Sequence, residues 1–153
     1  GDIGGFDEDG QLMITDRKKD IIVNSGGDNL APQRVEGALN VAPEIGQAMV
    51  YGDRHPHLVA LIVPDEGWLT EWKRETGKRG SLADLREDDE LRVAISAAID
   101  RVNGALSNIE KVRRFILAHE AFLIENGEMT PTMKVKRHVL KTRYGERLEA
   151  LYR

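Results

Sequence analysis

Three loops of this sequence carry the residue types that handle phosphates and thin ligands. Thr130-Pro131-Thr132-Met133-Lys134 delivers a lysine at the end of an extended stretch, because Pro131 biases Thr130 away from helix. The ammonium of such a lysine is a candidate contact for an anionic partner. A lone lysine in a loop otherwise lies in solvent. Asp16-Arg17-Lys18-Lys19-Asp20 is a run of charge between two strand-like segments. The planar fork of Arg17 suits a phosphate, and its plain reading is a surface ion pair with Asp16 or Asp20. Ser25-Gly26-Gly27 is a tight turn, or a place where backbone approaches a ligand with no side chain between them; one loop can be both.

Other chemistries find no support. Asp7-Glu8-Asp9-Gly10 lacks the further ligands and closing Glu of a calcium loop and reads as a turn. His55, His57, His119 and His138 show no metal spacing, and no metal site is expected. There is no Gly-x-Ser-x-Gly elbow, no Walker loop, no His-Glu-x-x-His and no pair of carboxylates in an apolar setting. The 153 residues include no Cys, which removes disulfides and thiolate sites together and fits a reducing, cytoplasmic location. The longest apolar run, Leu58 to Pro64, matches a buried strand and falls far short of a membrane span. No signal peptide is visible at the N-terminus.

The elements that must position these loops follow from periodicity. Gly4 to Thr15 reads as a hairpin turning at Asp9-Gly10, and Gly1 opens in mid-pattern without a starting Met, as in a cut from a longer polypeptide. Ile21 to Asn24 is a short buried-strand candidate, and Asn29-Leu30 resumes the strand after the glycine loop. Pro32 sits where a first helical turn tolerates it, so a helix runs from about Pro32 to Asn40. Ile45 to Tyr51 and Leu58 to Val63 read as strands joined by a polar turn. From Asp65 the period turns helical, Gly77 to Gly80 breaks it, and an amphipathic helix spans about Asp89 to Leu106. Arg114 to Ala118 and Phe122 to Ile124 look like strands. A basic helix from about Val135 to Tyr152 closes the chain, with Val139, Leu140, Leu148 and Leu151 as its apolar side. The expected class is α+β: a small mixed sheet flanked by helices, preceded by the hairpin.

Charge is uneven along this layout. Residues 65–90 carry nine acidic and five basic side chains, whereas residues 129–153 carry seven basic against two acidic. A basic end on a chain of net charge -4 points to a local anionic partner such as a nucleotide, or to a solvated helix face. Aromatic residues do not interleave with the basic ones as a stacking platform requires, so nucleic acid is not expected.

Taken in order, Gly1-Asp2-Ile3-Gly4, Asp16-Arg17-Lys18-Lys19-Asp20-Ile21-Ile22, Ser25-Gly26-Gly27 with Val35-Glu36, and Asn126 to Arg137 resemble successive motifs of the adenylate-forming superfamily. The resemblance covers nearly the whole chain and is nearest to the long-chain fatty-acid–CoA ligase branch. It implies that residues 1–18 end an N-terminal AMP-binding domain and that residues 19–153 form the mobile C-terminal domain. It further implies that Asp2 grips the ribose hydroxyls of ATP, Arg17 contacts ribose and phosphate, and Lys19 is the hinge. Lys134 would be the catalytic lysine of the adenylation step, and Ser25, Gly26 and Gly27 would line the CoA pantetheine channel after the domain turns. The substrates implied are a fatty acid, ATP and CoA, with Mg2+ accompanying ATP outside this chain. The partner implied is the protein's own N-terminal domain, and peripheral membrane contact is left open. The chain departs from many relatives in having Thr132-Met133 where Ser-Gly precedes the lysine. The alternatives are an aryl- or amino-acid-activating relative, or a non-catalytic module that binds anionic surfaces.

Overall fold

The computed structural model describes residues 21–132 and 134–152. The chain first makes a two-stranded ribbon, β1 (Ile22–Val23) antiparallel to β2 (Asn29–Leu30), and enters α1 (Pro32–Asn40). Three longer strands follow as β3 (Ile45–Tyr51), β4 (Leu58–Pro64) and β5 (Val112–Leu117). Between β4 and β5 lie α2 (Glu66–Thr76), α3 (Leu82–Leu85), α4 (Asp89–Asn103) and a 3-10 turn (Asn108–Glu110). The last helix is α5 (Arg137–Ala150).

The sheet order is β3-β4-β5, antiparallel on one side of β4 and parallel on the other. A parallel neighbour needs a long crossover, which α2 to α4 supply. Being central and covered on both faces, β4 is buried at every residue, so its sequence is a continuous apolar run rather than an alternation. Val50, Leu58, Ala60 and Ile62 face Val35 and Leu39 of α1 and Leu91, Ile95 and Ala98 of α4. Met49, Val59, Leu61 and Val63 face Leu140, Tyr144 and Leu148 of α5. The architecture is the expected α+β sheet between helical layers.

Local chemistry sets the element ends. The Asp65 carboxylate accepts the Trp68 amide at 3.0 Å to start α2, and Gly77, in the left-handed region, stops it. The Asp88 carboxylate likewise accepts the Leu91 amide at 3.1 Å to start α4. The helix ends at Asn103, short of the expected Leu106, because the Asn103 amide turns to bond both the N–H and the carbonyl of Val112, each at 2.9 Å. That side chain fastens the start of β5 instead of extending the helix.

Three further expectations are corrected. Phe122 to Ile124 is not a strand. The Gln47 side chain satisfies both Phe122 backbone groups, at 2.7 and 2.9 Å, as a strand partner would, and the chain then turns through Gly127 at positive φ. The first strand is not buried throughout: Ile22 is, while Ile21 and Val23 are 46% and 40% exposed. The apolar side of α5 centres on Leu140, Tyr144 and Leu148, with Tyr144 taking the place expected of Val139. Its first turn begins at Arg137 because Val135 is used in a bridge to Met129.

Candidate functional site

Lys134 stands at the mouth of a small hairpin. The Met129–Val135 bridge is flanked by hydrogen bonds from Lys136 N–H to the Glu128 carbonyl and from Thr130 N–H to the Lys134 carbonyl, both 2.8 Å. Thr130 Oγ1 accepts the Lys134 amide at 3.1 Å and lies 2.9 Å from Thr132 Oγ1, so the Thr-Pro-Thr sequence stitches the loop to itself. Lys134 is exposed, and among the described residues no carboxylate pairs with its ammonium. The residue is open to solvent and is not packed beneath the core that carries it.

Both flanks of this hairpin are braced by charge. On the near side Glu128, fully buried, receives Arg143 of α5 at 2.8 Å. On the far side Arg137 makes a two-pronged pair with Glu36 of α1, at 2.5 and 3.0 Å, with both side chains mostly buried. Glu36 also accepts the Val50 amide at 2.9 Å. That carboxylate therefore ties α1, the backbone of β3 and the start of α5 into one node. Such a node holds geometry, since removing either partner would strand a buried charge.

The Ser25-Gly26-Gly27 loop is built differently. Asn24 Oδ1 accepts the Gly26 amide at 3.0 Å and the Asp28 amide at 2.9 Å. Gly27 takes a φ of +86°, which disfavours any side chain there. The three loop residues are exposed. Ser25 N–H donates to the His55 carbonyl at 2.9 Å and Arg54 N–H to Val23 at 2.7 Å, so the ribbon is bonded to the β3–β4 connection. That connection in turn meets the C-terminal end of α5, where the His55 ring lies 2.9 Å from Glu149. The glycine loop and Lys134 are thus attached to opposite ends of one helix. The twelve-residue step from Arg137 to Glu149 spans about 18 Å.

Asp2, Arg17 and Lys19 lie outside the described residues. Of the predicted positions that are described, the structure presents Lys134, Ser25, Gly26 and Gly27 on exposed loops and does not bring the lysine and the glycines together. Sequence reasoning missed the bracing residues Glu36, Glu128, Arg137 and Arg143 as a set. Their only signal was that Glu36, Glu128 and Arg137 sat inside the quoted motifs. The basic C-terminal segment is also less available than its charge suggested. Arg137, Arg143 and Arg147 face Glu36, Glu128 and Glu87 of the chain itself.

A family model described as AMP-binding enzyme C-terminal domain matches residues 19–153. The chain belongs to that family. It is 44% identical over 154 aligned residues to the long-chain-fatty-acid–CoA ligase FadD15 of Mycobacterium tuberculosis, covering 99% of this chain and 26% of that protein. Against the human long-chain-fatty-acid–CoA ligase 1 it is 34% identical, over 99% of this chain and 22% of that one. The adenylation domain of a carboxylate reductase from Mycobacterium chelonae has a similar structure, with a TM-score of 0.74 and 29% identity, over 89% of this chain and 20% of that one. The chain spans about a quarter of the length of the curated relatives it matches.

Proposed function

We propose that this chain is the mobile C-terminal domain of an ATP-dependent long-chain fatty-acid–CoA ligase, joined to its AMP-binding domain near residues 18 and 19. In the first half-reaction the fatty-acid carboxylate attacks the α-phosphorus of ATP, giving acyl-adenylate and pyrophosphate. Lys134 places its ammonium against the charge spreading over the α-phosphoryl oxygens, while Asp2 and Arg17 contact the nucleotide. The domain then turns about Lys19. The CoA thiol, guided along Ser25, Gly26 and Gly27, attacks the acyl carbon, and AMP leaves. Mg2+ accompanies ATP on the larger domain, and the enzyme works in the cytoplasm.

The observation that carries this reading is the outward-facing Lys134 on a hairpin braced on both flanks. A lysine folded beneath the domain's own core would have ruled it out. Attachment of the two functional loops to opposite ends of α5 supports a swing, because one domain orientation offers one loop at a time. The full-length protein should convert fatty acid, ATP and CoA to acyl-CoA, AMP and pyrophosphate, and the 153-residue chain alone should show no ATP–pyrophosphate exchange. Absence of acyl-CoA product across chain lengths, or exchange by the isolated chain, overturns the proposal. The carboxylate-reductase likeness favours a second reading, an acid-activating domain serving another acceptor. Adenylation that is never discharged by CoA would favour it.

A further inference from the structure

The C-terminal end of α5 and the glycine loop are more than 120 residues apart in sequence, yet one continuous set of contacts joins them. Glu149 lies against the His55 ring nitrogen at 2.9 Å and also accepts the Tyr51 hydroxyl. The Tyr152 ring stacks on the His55 ring, centroids 3.8 Å apart and 8° from parallel. The Tyr152 hydroxyl donates to the carbonyls of His57, at 2.7 Å, and Tyr51, at 3.2 Å. The β3–β4 connection is therefore gripped on its ring and on its backbone. Burial, and then the Glu149 hydrogen bond, push the Tyr51 phenol up to about 12, so it stays a donor to that carboxylate.

From the gripped connection three bonds pass to the ribbon. The His55 carbonyl accepts Ser25 N–H at 2.9 Å, Arg54 N–H donates to the Val23 carbonyl at 2.7 Å, and Asp53 accepts Val23 N–H at 3.1 Å. The ribbon itself is two residues per strand, too short to hold a position unaided. Its placement on the domain is set by what it is bonded to.

We infer that Glu149 and Tyr152 are positioning residues for the Ser25–Gly27 loop, and that through it they govern the thiol-acceptor half-reaction and not the adenylation step. This rests on the CoA-ligase reading above. Neither residue belongs to the brace around Lys134, which uses Glu36, Arg137, Glu128 and Arg143. The chemistry served is placement of a pantetheine arm, whose thin chain must run along exposed glycine backbone; a loop displaced by a fraction of an ångström presents that backbone at the wrong depth.

The test uses Glu149→Ala, Glu149→Gln and Tyr152→Ala in the full-length protein. ATP–pyrophosphate exchange, thioester formation from supplied acyl-adenylate, and amide hydrogen exchange of residues 22–30 are measured side by side. The alanine variants should leave pyrophosphate exchange within about twofold, raise KM for CoA about tenfold with a smaller change in kcat, and speed amide exchange in the ribbon. Glu149→Gln, which keeps an acceptor for Tyr51, should recover most of the loss. Equal loss in both half-reactions overturns the inference, as does unchanged KM for CoA. Unchanged amide exchange in the ribbon overturns the link itself, whatever reaction the protein catalyses. If the wild type shows no CoA-dependent step, the ligase reading fails and takes the acceptor role with it; amide exchange then still decides whether the two residues hold the loop.

Discussion

The two candidate loops are held by opposite means. The Lys134 hairpin rests on ion pairs whose carboxylates are withdrawn from water, Glu36 with Arg137 and Glu128 with Arg143. The Ser25–Gly27 loop rests on backbone amides, one asparagine side chain and an aromatic stack. A desolvated charge pair is stiff, and it fails abruptly when one partner goes. A loop held by amide hydrogen bonds gives way in small steps, each worth about 1 kcal/mol. The difference suits the two proposed roles. In the proposed reaction the lysine meets one phosphoryl group within a narrow tolerance, whereas the glycine backbone accommodates a ligand that slides.

The comparison breaks most visibly at the ion pairs. Arg137→Ala leaves Glu36 charged among α1, β3 and α5, and unfolding free energy should fall by about 3–5 kcal/mol, measured by denaturant titration. A loss below about 1 kcal/mol would show that water reaches Glu36 and that the node is not stiff. Lys134→Ala removes an ammonium that faces solvent, so stability should be unchanged within about 0.5 kcal/mol. Its effect belongs to chemistry instead: adenylation should fall on the order of a hundredfold or more, with thioester formation from supplied acyl-adenylate retained. Parallel loss in both half-reactions would place the lysine in the general architecture of the domain, like Arg137.

Legibility in the sequence followed the range of the interactions. α1 and β3 were readable within a residue because Pro32 marks a helix start and the polar turn from Gly52 marks the strand's end. The apolar stretch of β4 was readable because full burial leaves no polar face. Phe122 to Ile124 misled because a glutamine 75 residues away supplies the bonds of a strand neighbour, and a side chain that imitates backbone has no periodicity. The loops themselves were legible as motifs, since proline, glycine and lysine act locally. What holds them was not. Glu36 and Arg137 stand 101 positions apart and His55 and Glu149 stand 94 apart, and charge counting read Arg137 as part of a basic tail awaiting an anion. Pairing across the fold is what a sum of charges cannot display.

The glycine loop sharpens the contrast at lower energies. Asn24→Ala removes the acceptor for two loop amides that then turn to water, and should cost about 1–2 kcal/mol in stability with a larger rise in amide exchange at residues 24–28. Gly27→Ala meets no atom within 4 Å, so its cost is conformational: a φ of +86° in an alanine should lower stability by about 1 kcal/mol. Because the carbon added there finds open space, any larger loss of thioester formation than stability accounts for would reflect a clash with ligand rather than with protein. Arg147→Ala sets the floor. Its pair with Glu87 at 2.7 Å looks as well made as the Arg137 pair, but Glu87 is 68% exposed and Arg147 35% exposed. Water screens both charges and the ordering of two long side chains offsets the attraction, so the change should stay within about 0.5 kcal/mol. A loss approaching that of Arg137→Ala would mean that distance, and not withdrawal from solvent, governs the strength of these pairs, and the division between the two loops would lose its physical basis.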